Sequence, residues 1–455
     1  MSTTLTMTLI MAICLVPTTW PVFYFIYRNY VKPKKNIVLG VALPFEAHGD
    51  ARTLAVSRSY KRWLDIVLLP MLLLVIPPFF FKGSGASMTW FMTWMVTLIV
   101  APMVIFAVHR QRLLAVKREN SWYGEAAGKA VADVKAASIA ARKVRGIWFL
   151  LPLIISVMPL AGAMRNPPGV DVLPVYLMNI AMIALFWPLY HLIFRMRSEV
   201  VNEDLTLTLA LTRVRRYNWG KFWLIAAWLS AGWNLLLWLL HGSAAGFLAT
   251  TLVYATLLVI AAVGIEFSVR MGQQKLTASD TGELFTDEDE LWIWGLFYCN
   301  PNDAHFFVND RVGMNMSINL AKPAAKGFIM FTLIVLMAMP LMGVWMIVDE
   351  TTPSALAVEG GALIARQVGD RYEVSLGEIV SVDLVWELPR LTRVRGTGYE
   401  NLYKGVFWVA GYGDSDFCLH PQNPPFLIVK TGERTYFLND HDPAATQRTY
   451  RLIKP

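Results

Sequence analysis

The sequence predicts a membrane all-α helical bundle of about eight spans, followed by a small C-terminal β-barrel-like domain closed by a helix. Three observations predict it: long apolar runs, an uneven placement of Lys and Arg between them, and a change to short β-prone runs after residue 350. A helical span needs roughly 20 mostly apolar residues. Runs of that kind occupy approximately 5–27, 64–81, 87–108, 147–164, 175–194, 222–240, 246–268 and 327–348. A hydrophobic fraction of 55% with only 16% charged residues is too apolar for an ordinary soluble domain.

The cations fix the expected orientation. Segment 28–63 holds Arg28, Lys32, Lys34, Lys35, Arg52, Arg58, Lys61 and Arg62, and segments 109–146 and 195–221 are similarly basic. The alternating short loops hold only Lys82, Arg165 and His241. Lys and Arg are retained on the cytoplasmic side, so the N-terminus is expected outside, and an even number of spans puts the C-terminal domain outside too. The net charge of +8 is then mostly loop bias, and no nucleic-acid partner is expected. The first span lacks a basic leader and a small-x-small site, so it reads as a retained span and not a cleaved signal peptide. Cys14, Cys299 and Cys418 fall in a span, a cytoplasmic segment and the tail, which leaves no intramolecular disulfide pair.

Residues 1–348 read as the membrane domain, with cytoplasmic cap segments at 28–63 and 271–326, and 350–455 as a separate tail. The stretch 125–145, rich in Ala and Lys, reads as a short cytoplasmic helix. In the tail, β-prone runs lie at 355–358, 362–368, 372–376, 379–385, 406–410, 426–430 and 435–438, several of them parted by Gly-rich turns. A closing helix is expected over 442–453, with Asp442 as N-cap and Pro443 in the first turn.

Two cap segments are richer than connectors require. The first is 36–44, Asn-Ile-Val-Leu-Gly-Val-Ala-Leu-Pro, and the second runs from Trp292 through Asn300-Pro301 and Asp303 to the last span, with an aromatic-rich strand pair expected in it. So much apolar surface must be covered by the membrane face, by other loops or by a protein partner. Gly40, Val41 and Pro44, then Trp292, Gly295, Tyr298, Asn300, Pro301 and Asp303, then Val308, Arg311, Gly313 and Asn319 form blocks that resemble an uncharacterised bacterial multi-pass membrane family. Its members join a domain of unknown function to a bacterial pleckstrin-homology-like domain, and the tail residues Ile379, Leu388, Pro389, Arg393, Gly396, Gly405, Phe407 and Gly411 are similar to that pattern. A more distant similarity is to bacteriocin-immunity membrane proteins. The resemblance implies a bacterial inner-membrane location and a role in envelope sensing, signalling or immunity. Cys299 departs from the pattern where an aromatic residue is usual, and Ala42 where a polar or basic one is.

No catalytic signature emerges: H-E-x-x-H, G-x-S-x-G and the Walker pattern are all missing, so no enzyme activity, cofactor or metal is expected. Inside the spans, Asn179 and Asn234 are the polar residues suited to hydrogen bonding between helices or to lining a solute path. In the tail, Arg390, Arg393, Arg395 and Lys404 gather around a Gly-containing loop and suit an anionic ligand or an acidic partner. The expectation is a non-enzymatic membrane protein whose tail binds a ligand or partner and whose cap receives the change. The alternative is a transporter or exporter accessory for a lipid or peptide.

Overall fold

The computed structural model describes residues 3–34, 36–123, 145–165, 173–193, 205–240, 244–277, 287–312 and 316–454. Eight helices among them are long and apolar enough to cross a membrane. We number the helices α1 (Thr3–Arg28), α2 (Ala51–Leu68), α3 (Ser84–Glu119), α4 (Leu150–Arg165), α5 (Leu173–Ile193), α6 (Leu205–Leu239), α7 (Ala244–Thr277) and α8 (Pro323–Thr351). The helix expected over 125–145 lies outside the described residues.

The helices pack as two groups. α1, α2 and α8 pack on α3, whereas α4, α5 and α7 pack on α6, and the groups meet where α1 lies against α7. Side chains alone do not explain the fit of α3 to α8. A β-carbon at Gly85 would lie 2.8 Å from the Met346 carbonyl carbon, and one at Gly343 would lie 2.6 Å from Thr89 Cα. Glycine at both positions lets the backbones touch.

The second apolar run differs from the expected single helix. α2 ends at Leu68, and two short 3-10 stretches follow, Pro70–Val75 and Pro77–Phe80. Proline removes an N–H and clashes with the preceding turn, so Pro70, Pro77 and Pro78 stop the α-helix and orphan carbonyls. Three indoles satisfy those carbonyls: Trp20 Nε1 donates to Leu68 O at 2.8 Å, Trp94 Nε1 to Met71 O at 2.8 Å and Trp90 Nε1 to Leu74 O at 2.7 Å.

Three short strand pairs and two tail sheets complete the described residues. β1 (Ile37–Val38) and β2 (Val41–Ala42) form one hairpin, β3 (Trp292–Ile293) and β4 (Phe297–Tyr298) a second, and β5 (Phe307–Asn309) pairs with β6 (Met316–Ile318). The Asn300-Pro301 turn lies between the second and third of these pairs, outside either hairpin.

The tail holds β7 (Ala355–Glu359), β8 (Ala362–Gln367), β9 (Asp370–Ser375), β10 (Ile379–Val385), β11 (Leu391–Gly398), β12 (Tyr403–Val409), β13 (Gly413–Leu419), β14 (Phe426–Thr431), β15 (Thr435–Leu438) and the helix α9 (Pro443–Ile453). The expected barrel is not found. The strands make a three-stranded sheet, β7-β8-β9, and a six-stranded sheet ordered β10-β14-β15-β13-β12-β11, in which β13 and β15 run parallel. Its outer members β10 and β11 do not pair, so the sheet stays open. Two apolar layers explain the arrangement. Leu363 and Val374 pack with Cys418, Leu427, Leu438 and Ile453, joining the small sheet to the large one and to α9. The opposite set, Phe407, Phe417, Ile428 and Phe437, makes a second cluster in which Phe417 stacks on Phe437 at 4.6 Å. α9 begins as expected: Asp442 accepts from Ala444 N at 2.9 Å, with Pro443 at the first helical position.

Candidate functional site

The cap is assembled around the end of α3. Leu39 and Gly40, at φ 46° and 74°, make the two-residue turn of the first hairpin, and Trp294 and Gly295, at φ 53° and 75°, turn the second. Both turns sit on Arg110. Its Nε donates to Gly40 O at 3.2 Å, and a β-carbon at Gly295 would lie 2.6 Å from that same nitrogen. Phe106, one turn before Arg110, would be 3.0 Å from a β-carbon on Gly40. The two glycines therefore admit the chain to a side chain as well as to a left-handed backbone.

Asp289 ties the hairpins together. Its Oδ1 accepts from Ala42 N at 3.1 Å and pairs with Arg311, its Oδ2 accepts from Lys117 Nζ at 2.7 Å, and its carbonyl accepts from Arg110 Nη2 at 3.0 Å. Lys117 also pairs with Asp287 at 2.5 Å. Arg110, Lys117 and Arg311 are all buried. Burial pulls the Arg311 guanidinium below the usual arginine range, and Asp289 opposes that shift. Arg311 Nε and Nη1 have no hydrogen-bond partner among the described residues. A buried pair of this kind punishes removal of either partner far more than it rewards the pair itself.

The remaining cap residues hold one loop. Asn319, fully buried, accepts from Asn300 N at 3.0 Å and donates to Asn300 O at 2.8 Å. Asp303 accepts from Tyr298 OH at 3.1 Å and from His305 N at 2.9 Å. Trp292 packs on Tyr298 with ring centroids 5.3 Å apart. Pro301 lies exposed in the turn, Pro44 is half-buried where its carbonyl accepts from Ala47 N at 2.9 Å, and Gly313 lies outside the described residues. The spacing of Asn300, Asp303 and Asn319 thus encodes a hydrogen-bonded staple.

At the other end of the bundle, α8 runs straight into the tail. Glu350 accepts from Ser84 N at 2.9 Å and Gly85 N at 3.1 Å, capping the first turn of α3, where the helix dipole favours an anion. Thr4 meets Ser84 at 3.1 Å, so the N-terminal helix, the Lys82 turn and the tail share one end, away from the cap. Asp349 pairs with Lys404 at 2.6 Å.

That pairing redistributes the four tail cations. Gly396 and Gly398 lie inside β11 and not in a loop, so Arg393 and Arg395 stand exposed on an edge strand, with Arg390 exposed just before it. Lys404, on β12, instead donates to Asp349 and also to Gln367 Oε1 at 3.2 Å and Val368 O at 2.9 Å, and it pairs with Asp370 at 3.1 Å. Burial works against its charge, but the bonds to Asp349 and Asp370 outweigh it and hold its pKa above the ordinary lysine value. Lys404 is a joint between tail and α8.

Asn179 and Asn234 do come together. Asn179 Nδ2 donates to Asn234 Oδ1 at 2.8 Å and to Ser230 O at 2.9 Å, linking α5 to α6. Ser230 meets Tyr254 OH at 2.8 Å, and Tyr254 stacks on Trp233 at 4.9 Å, extending the contact to α7.

The sequence expectation missed Asp289 and Arg110. Asp289 sits in an acidic run, 287–290, and Arg110 in a basic stretch, both of which read as solvated surface; the one available signal was the adjacency of that acidic run to the Trp292 block. The chain thus belongs, by class, with bundles of long apolar helices that carry a separate C-terminal sheet domain. No family model, curated protein or solved structure matches it.

Proposed function

We propose that this chain is a non-enzymatic integral membrane protein of the bacterial inner membrane, with an envelope sensing, signalling or immunity-type role. In this reading the tail lies outside and engages a ligand or partner, with Arg390, Arg393 and Arg395 as exposed cations. The change reaches the cytoplasmic cap, and through it a protein partner. One observation carries the reading: α8 leads directly into the tail and is in backbone contact with α3, whose other end bears Arg110 and Lys117 at the centre of the cap. Two helices without slack between two soluble modules transmit displacement, because packed interfaces switch between arrangements and do not deform continuously.

The native thiol Cys299, half-exposed in the cap, supplies the test. In a Cys14→Ala, Cys418→Ala background, Lys404→Met loosens the tail joint, and the maleimide labelling rate of Cys299 is measured in membranes. A several-fold change is expected. An unchanged rate means that tail and cap are independent, and the reading fails. Labelling of Thr392→Cys, at an exposed tail position, by an impermeant reagent on intact cells decides the side separately.

A transporter or exporter accessory for a lipid or peptide is the second reading. It is favoured by Asn179 Oδ1 and Asn234 Nδ2, which are buried without a hydrogen-bond partner among the described residues. Movement of a fluorescent phospholipid across proteoliposomes that Asn179→Leu with Asn234→Leu abolishes would support it; no movement in the parent chain excludes it for lipid.

A further inference from the structure

We infer that α2 carries a binding site for the headgroup of an anionic phospholipid, at the end of the bundle where the cap lies. The inference rests on the membrane reading and not on the signalling one. Ala55, Arg58, Ser59, Arg62, Trp63 and Ile66 line a recess. Their spacing puts them on one stripe of a 3.6-residue helix. The opposite stripe, Thr53, Ser57, Tyr60, Leu64 and Leu68, is buried against the bundle.

The stripe is ordered as a phospholipid is. Arg58 and Arg62 are exposed, and neither pairs with a carboxylate among the described residues. Apart from a 3.4 Å bond from Arg58 Nε to Leu54 O within its own helix, their guanidinium groups have no hydrogen-bond partner among the described residues. Two guanidinium forks one turn apart present parallel N–H donors, the geometry that suits phosphate oxygens. Ser59 is held beside them by a 3.2 Å contact with His109. Trp63, 48% exposed, follows at the level an indole prefers, between headgroups and acyl chains. Beyond it the surface is aliphatic: Ile66, Leu69, Leu73 and Ile76 are 45–67% exposed. Phosphate, glycerol and acyl chain therefore each meet matching chemistry along α2 and the 3-10 stretches that follow it. The charge selects an anionic headgroup over a zwitterionic one.

The test uses the full chain, delipidated in detergent, titrated with phosphatidylglycerol or phosphatidylcholine and read by native mass spectrometry. Each cation near a lipid surface contributes roughly a fivefold factor. Arg58→Ala with Arg62→Ala is thus expected to weaken phosphatidylglycerol binding by about thirty-fold and to leave phosphatidylcholine unchanged. Arg58→Lys with Arg62→Lys keeps most of the preference. Equal binding of phosphatidylglycerol by parent and double-alanine chains overturns the proposal. So does complete displacement of the lipid by millimolar inorganic phosphate, which would make the recess a simple anion site. A chain that stays soluble without detergent and binds neither lipid fails on the membrane reading instead.

Discussion

A single methyl group at Gly343 probes the contact on which the proposed transmission between tail and cap depends. The new β-carbon would lie 2.6 Å from Thr89 Cα. Non-bonded carbons settle at roughly 3.5–4.0 Å, so α3 and α8 must part by about 1 Å. Overpacking of this kind costs about 1–3 kcal/mol. Parting also stretches the bonds of 2.9 and 3.1 Å from Ser84 and Gly85 to Glu350, toward the limit of hydrogen bonding. Bonds to a charged acceptor contribute about 1.5–3 kcal/mol each when intact, and partial loss brings the expected destabilisation to about 2–4 kcal/mol. Unfolding of the detergent-solubilised chain by sodium dodecyl sulfate, followed by tryptophan fluorescence, measures it. Gly327→Ala is the control, because it lies on the same helix and its β-carbon would meet nothing within 4 Å. That change should be neutral or stabilise by up to about 1 kcal/mol through helix propensity. If Gly343→Ala proves as harmless as Gly327→Ala, the backbone contact is wrong.

Other outcomes follow from the same geometry. Asp289→Asn strands Arg311 and leaves Lys117 with Asp287 alone, and should destabilise the cap by about 3–5 kcal/mol, visible as faster limited proteolysis of residues 287–312. Lys404→Met should loosen the junction of α8 and the tail and speed tryptic release of the tail, whereas Arg393→Ala, on the exposed edge strand, should leave the tail's stability unchanged. Burial pushes the Cys418 thiol up to about 12, from a usual value of 9.0. The folded tail therefore holds a proton that the unfolded chain releases, so this contribution to stability is intact below pH 9.0 and is lost progressively up to about pH 12. Denaturant midpoints measured across that range, compared with Cys418→Ala, check the sign. A double-mutant cycle on Asn179→Leu and Asn234→Leu should give a coupling of about 0.6–2 kcal/mol in the same unfolding assay.

What the sequence made legible was local. Apolar runs are long, so each spanning helix can be found, and α1, α4, α5 and α8 begin and end within a few residues of the expected runs, whereas α2, α3 and α6 continue well beyond them into the basic segments; the Asp442-Pro443 start of α9 is a capping pattern readable at two positions. Strands β11 and β13 were missed because Arg393, Arg395, Gly396 and Gly398 in one, and Gly413, Asp414 and Asp416 in the other, lack the alternation that marks a half-buried strand. Sheet order is less accessible still. The parallel pairing of β13 with β15 depends on packing of Cys418 and Phe417 against residues far along the chain, and no turn signal records it. The cap shows the same limit for charge. Composition counts Arg110, Lys117 and Arg311 with the solvated cations of the basic segments, and only contact with Asp289 separates them. Lys404 lies six residues after Gly398 and yet serves α8, because adjacent strands present neighbouring residues to different partners.

The joining of the first hairpin to Asp289 also sets an order of assembly during synthesis. Ala42 and Asp289 are 247 residues apart, which at about 5–20 residues per second separates their emergence by roughly 12–50 s. Arg110 and Lys117, once made, wait through the last 179 and 172 residues of that interval for the contacts that Asp289 later gives them. The amino-terminal turn of α3 waits comparably for Glu350, 266 residues downstream of Ser84. The cap end of α3 is finished once residues 287–311 have been made, and the other end only with Glu350 at the close of α8, so a chain cut short before Asp289 lacks the partners of both ends.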